Sequence, residues 1–354
     1  MKKRIFSGIR ATGRLHIGNY LGAVKGMLEL QDNPEYEMFF AVVDVHAMTT
    51  PYDKKTLAEK TREVVLDYLA VGLDPKKSSV LVQSKVIDLH AELMFYFSTM
   101  ISMARMQHLP TFKEKVKQHP ENVTMALLNY PLLMAADILA YKSELVPVGI
   151  DQEPHLEVTR EIARKMNDLY GTDFPEPKRF ATKGEYIPSL LGQGKMSKSV
   201  EGSYINLTDD LETIKKKLAS APTDSGKADL GKGFMKDLKG SSIYISKSAI
   251  QKPVGVVASS EGFKTLMILV ELFEGEGKRK EYEKQYVGHG VRYSELKAEL
   301  AEAIFNELKR IQEKRRELEA DPEYVDRIIA EGAEKARKIA QATVEEVKEK
   351  MGLG

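Results

Sequence analysis

The chain has 354 residues, of which 42% are hydrophobic and 30% charged, and its formal net charge is +1. This composition is typical of a folded globular protein and excludes the low-hydrophobicity, high-charge class of disordered chains. The absence of cysteine excludes disulfides, thiolate zinc sites, iron–sulfur clusters and a cysteine nucleophile.

The first part of the chain alternates strand and helix patterns. A short apolar strand is predicted from Arg4 to Gly8, and a helical pattern starts at Gly18. A continuous apolar run from Met38 to Val45 predicts a buried strand. Lys54 to Leu73 has helical spacing, and Ser79 to Gln83 is strand-like again. Such alternation predicts an α/β protein with a parallel sheet.

The later elements are mostly helical. Residues 88–142 are interpreted as a helical insertion between strands, because a buried strand resumes at Leu145 to Val148. Two long helices are predicted at Ser294 to Glu319 and Pro322 to Lys350, and Asp321 is expected to cap the second. Their balanced charges are typical of a solvated helix pair, so they do not by themselves indicate an RNA site.

A polar, glycine-rich loop lies between the first strand and the first helix. It contains Gly8, Thr12, Gly13, His16, Ile17, Gly18 and Asn19. Ligands bind in parallel sheets at this position, and a helix N-terminus offers free N–H groups to phosphate oxygens. A histidine and three glycines are weak signals alone, so this loop needs a second observation.

The second observation is KMSKS at Lys195 to Ser199, preceded by Gly192 and Gly194. Lysine ammonium groups neutralise the charge that develops on transferred phosphates. Two exposed lysines are more often part of a solvated loop. The combination with the first loop favours a site for a nucleoside triphosphate.

These two motifs resemble the signatures of the class I aminoacyl-tRNA synthetases, with HIGN at 16–19 standing for the first and KMSKS for the second. Three further segments resemble the bacterial-type tryptophanyl branch of that family. They are VDVHAMTT at 43–50, YPLLMAADIL at 130–139 and PVGIDQEPHLEVTREIARKMN at 147–167. The resemblance covers most of residues 3–220.

The resemblance implies an α/β fold: a Rossmann-type catalytic domain at 1–203 with a helical connecting insertion, then an all-helical C-terminal domain at 204–354 that reads the anticodon. It also implies activation of L-tryptophan with ATP and transfer to the 3′ end of tRNA(Trp). Mg²⁺ would be bound through the ATP phosphates, and the enzyme would be a homodimer. No signal peptide or apolar run of 18 residues is evident, so a cytoplasmic location is expected.

For tryptophan recognition, the resemblance implies that Asp137 accepts the indole N–H and that Met134 packs on the ring. Tyr130 and Gln152 would hold the ammonium group. The pocket would also be lined by Phe6, Gly8, His46 and Val148. For His46, a packed core histidine remains the alternative.

For ATP, the resemblance implies contacts from both loops and from the segment after the fourth strand. The residues are Arg10, Ala11, Thr12, Gly18, Asn19, Gly149, Ile150, Asp151, Ile187, Lys195, Met196, Ser197, Lys198 and Ser199. The catalytic groups would be His16, Asn19, Lys115, Lys195 and Lys198.

Some positions depart from the family pattern. Arg10 and Ala11 stand where glutamine and proline are common, and Ile150 replaces an acidic residue. Asn19 replaces the second signature histidine, which is usual in this branch. Residues 223–262 align poorly with the family, and no function is assigned to them.

Three alternatives stay open. A tyrosyl enzyme shares the fold and the aspartate, but usually has glutamine at the position of Met134. A nucleotidylyltransferase also uses a His/Gly phosphate loop, but needs neither the pocket from Tyr130 to Asp137 nor the C-terminal helices. A catalytically silent relative that binds RNA would not need both phosphate loops.

Overall fold

The protein contains a parallel β-sheet of the predicted α/β type. The computed structural model describes residues 2–181, 186–192, 194–198, 200–227 and 260–353. Its strands are β1 (Lys3–Arg10), β2 (Tyr36–Val43), β3 (Ser78–Val82), β4 (Leu145–Pro147) and β5 (Lys178–Phe180). They form a five-stranded sheet in the order β3-β2-β1-β4-β5, with every pairing parallel. The predicted parallel sheet is confirmed.

Helices connect the strands. They are α1 (Ile17–Asn19), α2 (Lys25–Gln31), α3 (Asp44–Ala47), α4 (Leu57–Ala70), α5 (Ile87–Ser98), α6 (Met103–Gln107), α7 (Pro110–Gln118), α8 (Met125–Leu139) and α9 (Glu153–Tyr170). A π-helical segment, Tyr20–Val24, joins α1 to α2. The stretch between β3 and β4 contains helices α5 to α8, as its spacing predicts.

The central strands are buried because their sequences are apolar on both faces. Phe39, Phe40 and Leu81 are fully buried, as expected for strands covered on both sides. In contrast, β5 was not predicted from the sequence. It has only three residues, KRF, and none of them is buried, so it carries no apolar strand signal.

The remaining described helices are α10 (Leu211–Ser220), α11 (Glu261–Glu274), α12 (Glu276–Val287), α13 (Tyr293–Glu319) and α14 (Pro322–Lys350). The predicted cap of α14 is confirmed, since the Asp321 side chain accepts a hydrogen bond from the Tyr324 N–H at 3.0 Å. Gly332 lets α14 pack directly on β3. A Cβ at Gly332 would lie 1.8 Å from the Val80 carbonyl oxygen.

The described chain divides into two compact units. The first comprises residues 1–15, 19–185 and 311–354, and the second comprises 16–18 and 186–310. The first unit contains the sheet, α4 to α9 and α14. In the second, Asp224 accepts hydrogen bonds from the hydroxyls of Tyr286 at 2.8 Å and Tyr293 at 2.7 Å. The functional division at residues 203 and 204 stays a prediction.

Within the described ranges, no helix has the length and apolarity needed to cross a membrane. The segment 223–262, for which no function was predicted, falls mostly outside the described residues, at 228–259.

Candidate active site

Several predicted site residues of the first unit, and one residue that was not predicted, lie at the C-terminal ends of the strands. Arg10 ends β1, and His46 follows β2. Gln83 directly follows β3, and Gly149 lies two residues after β4. The chain winds in opposite directions from β1 and β4, which are neighbours in the sheet. Ligands bind in the crevice at such a switch point in open α/β sheets.

Asp137 of α8 lies at the centre of a group of polar side chains, which we call the acceptor cradle. Gln83 donates from Nε2 to both carboxylate oxygens, at 2.7 and 2.9 Å. His46 Nε2 lies 2.8 Å from Oδ2. His90 Nδ1 lies 2.8 Å from Oδ1. Asp137, Gln83 and His90 are each at most 1% exposed.

The orientation of the acceptor cradle follows from neighbouring groups. The His46 backbone N–H donates to Gln83 Oε1 at 3.2 Å, which turns the Gln83 amide nitrogen toward Asp137. The ionised carboxylate beside Nδ1 only accepts hydrogen bonds, so a neutral His90 carries its proton on Nδ1. Nε2 then accepts from the Tyr141 hydroxyl, which lies 2.8 Å away.

Asp137 is ionised despite its burial. Burial alone would raise the pKa of the carboxyl group, but hydrogen bonds from His46 and His90 lower it to about 2. An ionised carboxylate only accepts hydrogen bonds. The cradle therefore presents a buried acceptor that selects a ligand with an N–H or O–H donor.

The other predicted pocket residues surround this helix and the sheet edge. Phe6 is buried and stacks on Tyr141, with ring centroids 5.5 Å apart. Gly8 faces Val43, because a Cβ there would lie 2.9 Å from Val43 Cγ1. Met134 and Val148 are partly buried and pack on the same hydrophobic core.

Tyr130 lies about two helical turns before Asp137 on α8. It belongs to a second polar group. Its hydroxyl lies 2.7 Å from His155 Nε2, and the Thr111 hydroxyl lies 2.9 Å from the same nitrogen. The Lys115 ammonium lies over the Tyr130 ring at 5.8 Å from its centroid. Burial, opposed by Asp151, lowers the pKa of His155 to about 4, so the imidazole is neutral at pH 7.

Arg10 and Lys115 form a pair of interacting cations, the cation pair. Arg10 donates from Nη2 to the Thr50 hydroxyl at 2.7 Å. Burial lowers the pKa of Arg10, while burial and then the charge of Arg10 lower the pKa of Lys115. Two partly desolvated like charges are stabilised by a bound anion. The pair therefore favours a carboxylate or phosphate ligand.

The residues after β4 are open to solvent. Ile150–Gln152 form a 3₁₀ turn that leads into α9. Ile150 is 64% exposed, and Gln152 donates from Nε2 to Asp151 Oδ2 at 2.6 Å. These positions lie at the same sheet edge as Arg10.

The start of the first signature loop (Arg10–Asn19) is in the first unit, where Ala11 is buried and Thr12 is exposed. His16, Ile17 and Gly18 belong to the second unit. There Ile17 N–H donates to the Ile205 carbonyl at 2.9 Å. Asn19 is partly buried in the first unit.

The second signature loop (Lys195–Ser199) is anchored through its methionine. Met196 is 3% exposed, and its N–H donates to the Ile187 carbonyl at 2.9 Å. Lys195 pairs with Pro188 in an isolated antiparallel bridge. Ser197 accepts through its carbonyl oxygen from the Ser203 hydroxyl at 2.5 Å. The predicted residue Ser199 lies outside the described residues.

The two signature loops meet within the second unit. A Cβ at Gly18 would lie 2.8 Å from His16 Nδ1 and 3.2 Å from Met196 Cβ. Burial, followed by the charges of Lys198 and Lys195, lowers the pKa of His16 to about 3. His16 is therefore neutral at pH 7, so it can offer one N–H donor to a phosphate but no positive charge.

Sequence reasoning missed several polar residues that the structure brings to the site. Gln83 and His90 complete the acceptor cradle, while Thr111 and His155 contact one another beside Tyr130. For Gln83 a signal was available, because it directly follows a buried strand and so lies at the ligand edge of the sheet. The other three lie on helices, where a lone polar residue carries no positional signal.

The chain was compared with known proteins. The family model for tRNA synthetases class I (W and Y) matches residues 1–309. The tryptophan–tRNA ligase of Helicobacter pylori is 40% identical over 359 residues, which cover 99% of each chain. The one from Caldanaerobacter subterraneus is 41% identical and covers 99% of this chain and 98% of the relative. Tryptophanyl-tRNA synthetase from Campylobacter jejuni, complexed with ADP and tryptophan, is 31% identical with a TM-score of 0.78, covering 99% of this chain and all of that one.

Proposed function

Because the chain belongs to the tryptophanyl-tRNA synthetases of class I, we propose that the sheet edge and the two signature loops carry out its chemistry. The activity is that of a tryptophan–tRNA ligase with ATP as substrate. In the first step the tryptophan carboxylate forms a bond to the α-phosphorus of ATP, and the bond to pyrophosphate breaks. In the second step a ribose hydroxyl at the 3′ end of tRNA(Trp) attacks the adenylate carbonyl, and AMP leaves.

The buried, ionised Asp137, combined with Met134 on the same helix, is the observation that most supports tryptophan as the amino acid. It accepts the indole N–H, and Met134 packs on the ring face through a polarizable thioether. The carboxylate oxygens face Gln83, His46 and His90. Of these three, His46 is the most exposed, at 8%, so its side chain moves aside when the indole N–H arrives.

The polar ends of tryptophan and the phosphates of ATP bind nearer the sheet edge. Tyr130 and Gln152 hold the ammonium group, while the cation pair attracts the carboxylate and the α-phosphate. Gly149, Asp151 and the first signature loop contact the nucleotide. Neutral His16 donates a hydrogen bond, and Lys195 and Lys198 balance the charge of the departing pyrophosphate. No covalent enzyme intermediate is required.

Gly18 tests whether the close approach of the two signature loops matters. We expect Gly18→Ala to displace His16 and lower kcat for tryptophan-dependent ATP–pyrophosphate exchange about tenfold or more, because small misplacements of catalytic groups are costly. Gly277→Ala on α12 is the control, since no atom lies within 4 Å of its added Cβ. Exchange at the wild-type rate in Gly18→Ala, with the variant folded, would contradict a role for this contact.

Mg²⁺ enters the site bound to the phosphates of ATP. The lysines and backbone donors of the loops suit phosphate oxygens. This arrangement fits Mg²⁺ held by the ATP phosphates, where the ion neutralises phosphate charge.

The other partners are tRNA(Trp) and a second copy of the chain. We infer that residues 204–354 read the anticodon.

The second copy of the chain would be bound through an apolar surface. Phe95, Met103 and Met125 are large apolar side chains that are 69%, 65% and 64% exposed, and a homodimer interface would bury them. Sedimentation should then give the mass of a dimer, and Phe95→Glu should shift it toward the monomer. Both tRNA and ATP are cytoplasmic, so the enzyme acts there.

The decisive experiment is ATP–pyrophosphate exchange with each of the twenty standard amino acids. We expect exchange with tryptophan and at most weak exchange with tyrosine, because Met134 stands where tyrosyl enzymes usually have glutamine and offers a flat apolar contact that favours the larger indole ring. Exchange that depends on tyrosine would instead support the sister enzyme. A folded chain that shows no exchange with any amino acid would support the catalytically silent relative.

A further inference from the structure

A buried ion cluster on α4 involves none of the residues assigned above. Arg315, near the end of α13, is 3% exposed, and Asp67 is 0% exposed. The Arg315 guanidinium pairs with the Asp67 carboxylate, and its Nη2 lies 2.7 Å from Glu63 Oε2. Its Nε donates to Glu319 at 2.9 Å, and Nη1 donates to the Glu63 carbonyl at 3.2 Å. All of these residues belong to the first unit.

The same two carboxylates also hold the residues that precede the first signature. The Leu15 N–H donates to Asp67 Oδ2 at 2.5 Å. Arg14 Nε donates to Glu63 Oε2 at 2.5 Å. The next residue in the chain is His16, which opens the HIGN motif. Glu63 and Asp67 are four residues apart, so they lie on one face of α4 and connect Arg315 to the loop.

The guanidinium is the group that makes this arrangement possible. Burial raises the pKa of Asp67 to about 6, and the nearby charge of Arg315 opposes that rise. A planar guanidinium can bind two carboxylates at once, with its fork of donors set in one plane. Without the guanidinium, the buried Asp67 carboxylate and the partly buried Glu63 carboxylate would lack a compensating positive charge. The Asp67 side chain would then no longer be held in its orientation toward the Leu15 N–H.

We propose that Arg315 is a positioning residue for the activation reaction: through Asp67 it holds the Leu15 backbone, and so the part of the first signature loop that leads into His16, where ATP requires it. This inference rests on the proposed function. Arg315 touches neither substrate and acts through Asp67. Its effect therefore falls on the use of ATP rather than on tryptophan affinity, because the loop it holds contacts the nucleotide while the acceptor cradle lies on other elements.

The test compares Arg315→Gln and Asp67→Asn with Arg62→Gln. Arg62 also joins α4 to a C-terminal helix, through an exposed pair with Asp326 and a hydrogen bond to the Pro322 carbonyl. All variants are assayed well below their thermal midpoints. Pyrophosphate exchange gives kcat and the ATP KM. The chain contains no tryptophan, so the change in fluorescence of the tryptophan ligand on titration with protein gives its Kd.

We expect Arg315→Gln and Asp67→Asn to lower kcat/KM for ATP about tenfold or more, while the tryptophan Kd stays near the wild-type value. Arg62→Gln should leave both unchanged.

If Arg315→Gln does not fold, Arg315→Lys is measured in its place, because it keeps the charge but lacks the fork that binds both carboxylates. Folded variants with wild-type ATP parameters would overturn the inference and leave Arg315 a purely structural anchor. Absence of tryptophan-dependent exchange in the wild type would instead overturn the proposed function.

Discussion

Replacing Asp137 by asparagine is expected to lower kcat/KM for tryptophan in pyrophosphate exchange about 100-fold, since a hydrogen bond to a charged group contributes about 1.5–3 kcal/mol. The loss is expected toward the upper end because the pocket is buried. An asparagine amide turned so that its oxygen meets Gln83 would present its own N–H groups to His46 and to the indole N–H. Donors would then face donors at the base of the pocket.

A tryptophan analogue that lacks the indole N–H, with sulfur in place of the ring nitrogen, separates recognition from general damage. The wild-type enzyme should discriminate strongly against this analogue, because binding it leaves the buried acceptor unpaired. Asp137→Asn should discriminate weakly. Asp173→Asn, an exposed aspartate paired with Lys142, is the control and should behave as wild type. Equal losses for tryptophan and the analogue in Asp137→Asn would mean that Asp137 supports only the fold.

Removing the Lys195 ammonium is expected to slow activation by a factor on the order of 10²–10³ in kcat, which is the usual effect of deleting one group that stabilises transition-state charge. The physical reason is that negative charge accumulates on pyrophosphate as its bond to the α-phosphorus breaks. Tryptophan affinity should not change, because Lys195 is exposed and stands on the second signature loop rather than in the acceptor cradle.

Lys195→Ala and Lys198→Ala should be measured beside Lys216→Ala. Lys216 is an exposed lysine on α10, so it controls for the loss of one positive charge in the same unit. Single-turnover formation of the adenylate, followed by release of pyrophosphate, would report the chemical step. Undiminished rates in both signature-loop variants would refute a role for these lysines in charge neutralisation. A higher ATP KM with unchanged kcat would place their contribution in ground-state binding instead.

Much of the fold and the family could be predicted from local patterns. The apolar run of β2, the alternation of strands with helices and the Asp321 cap depend on neighbours close in sequence, and the structure has each of them. The two signature motifs and the segment around Asp137 identified the family, which the relatives confirm.

The tertiary structure decided which partners these residues have. Gln83 and His90 reach Asp137 from elements about fifty residues away, and Arg315 meets Asp67 across a sequence separation of 248. The neutral state of His16 follows from its burial and from two lysines of a distant loop. Strand β5 forms by pairing with β4 and not from any apolar pattern of its own. The physical reason is the same in each case: periodicity and capping are set by near neighbours in sequence, whereas charge state, acceptor geometry and edge pairing depend on groups that only folding brings together.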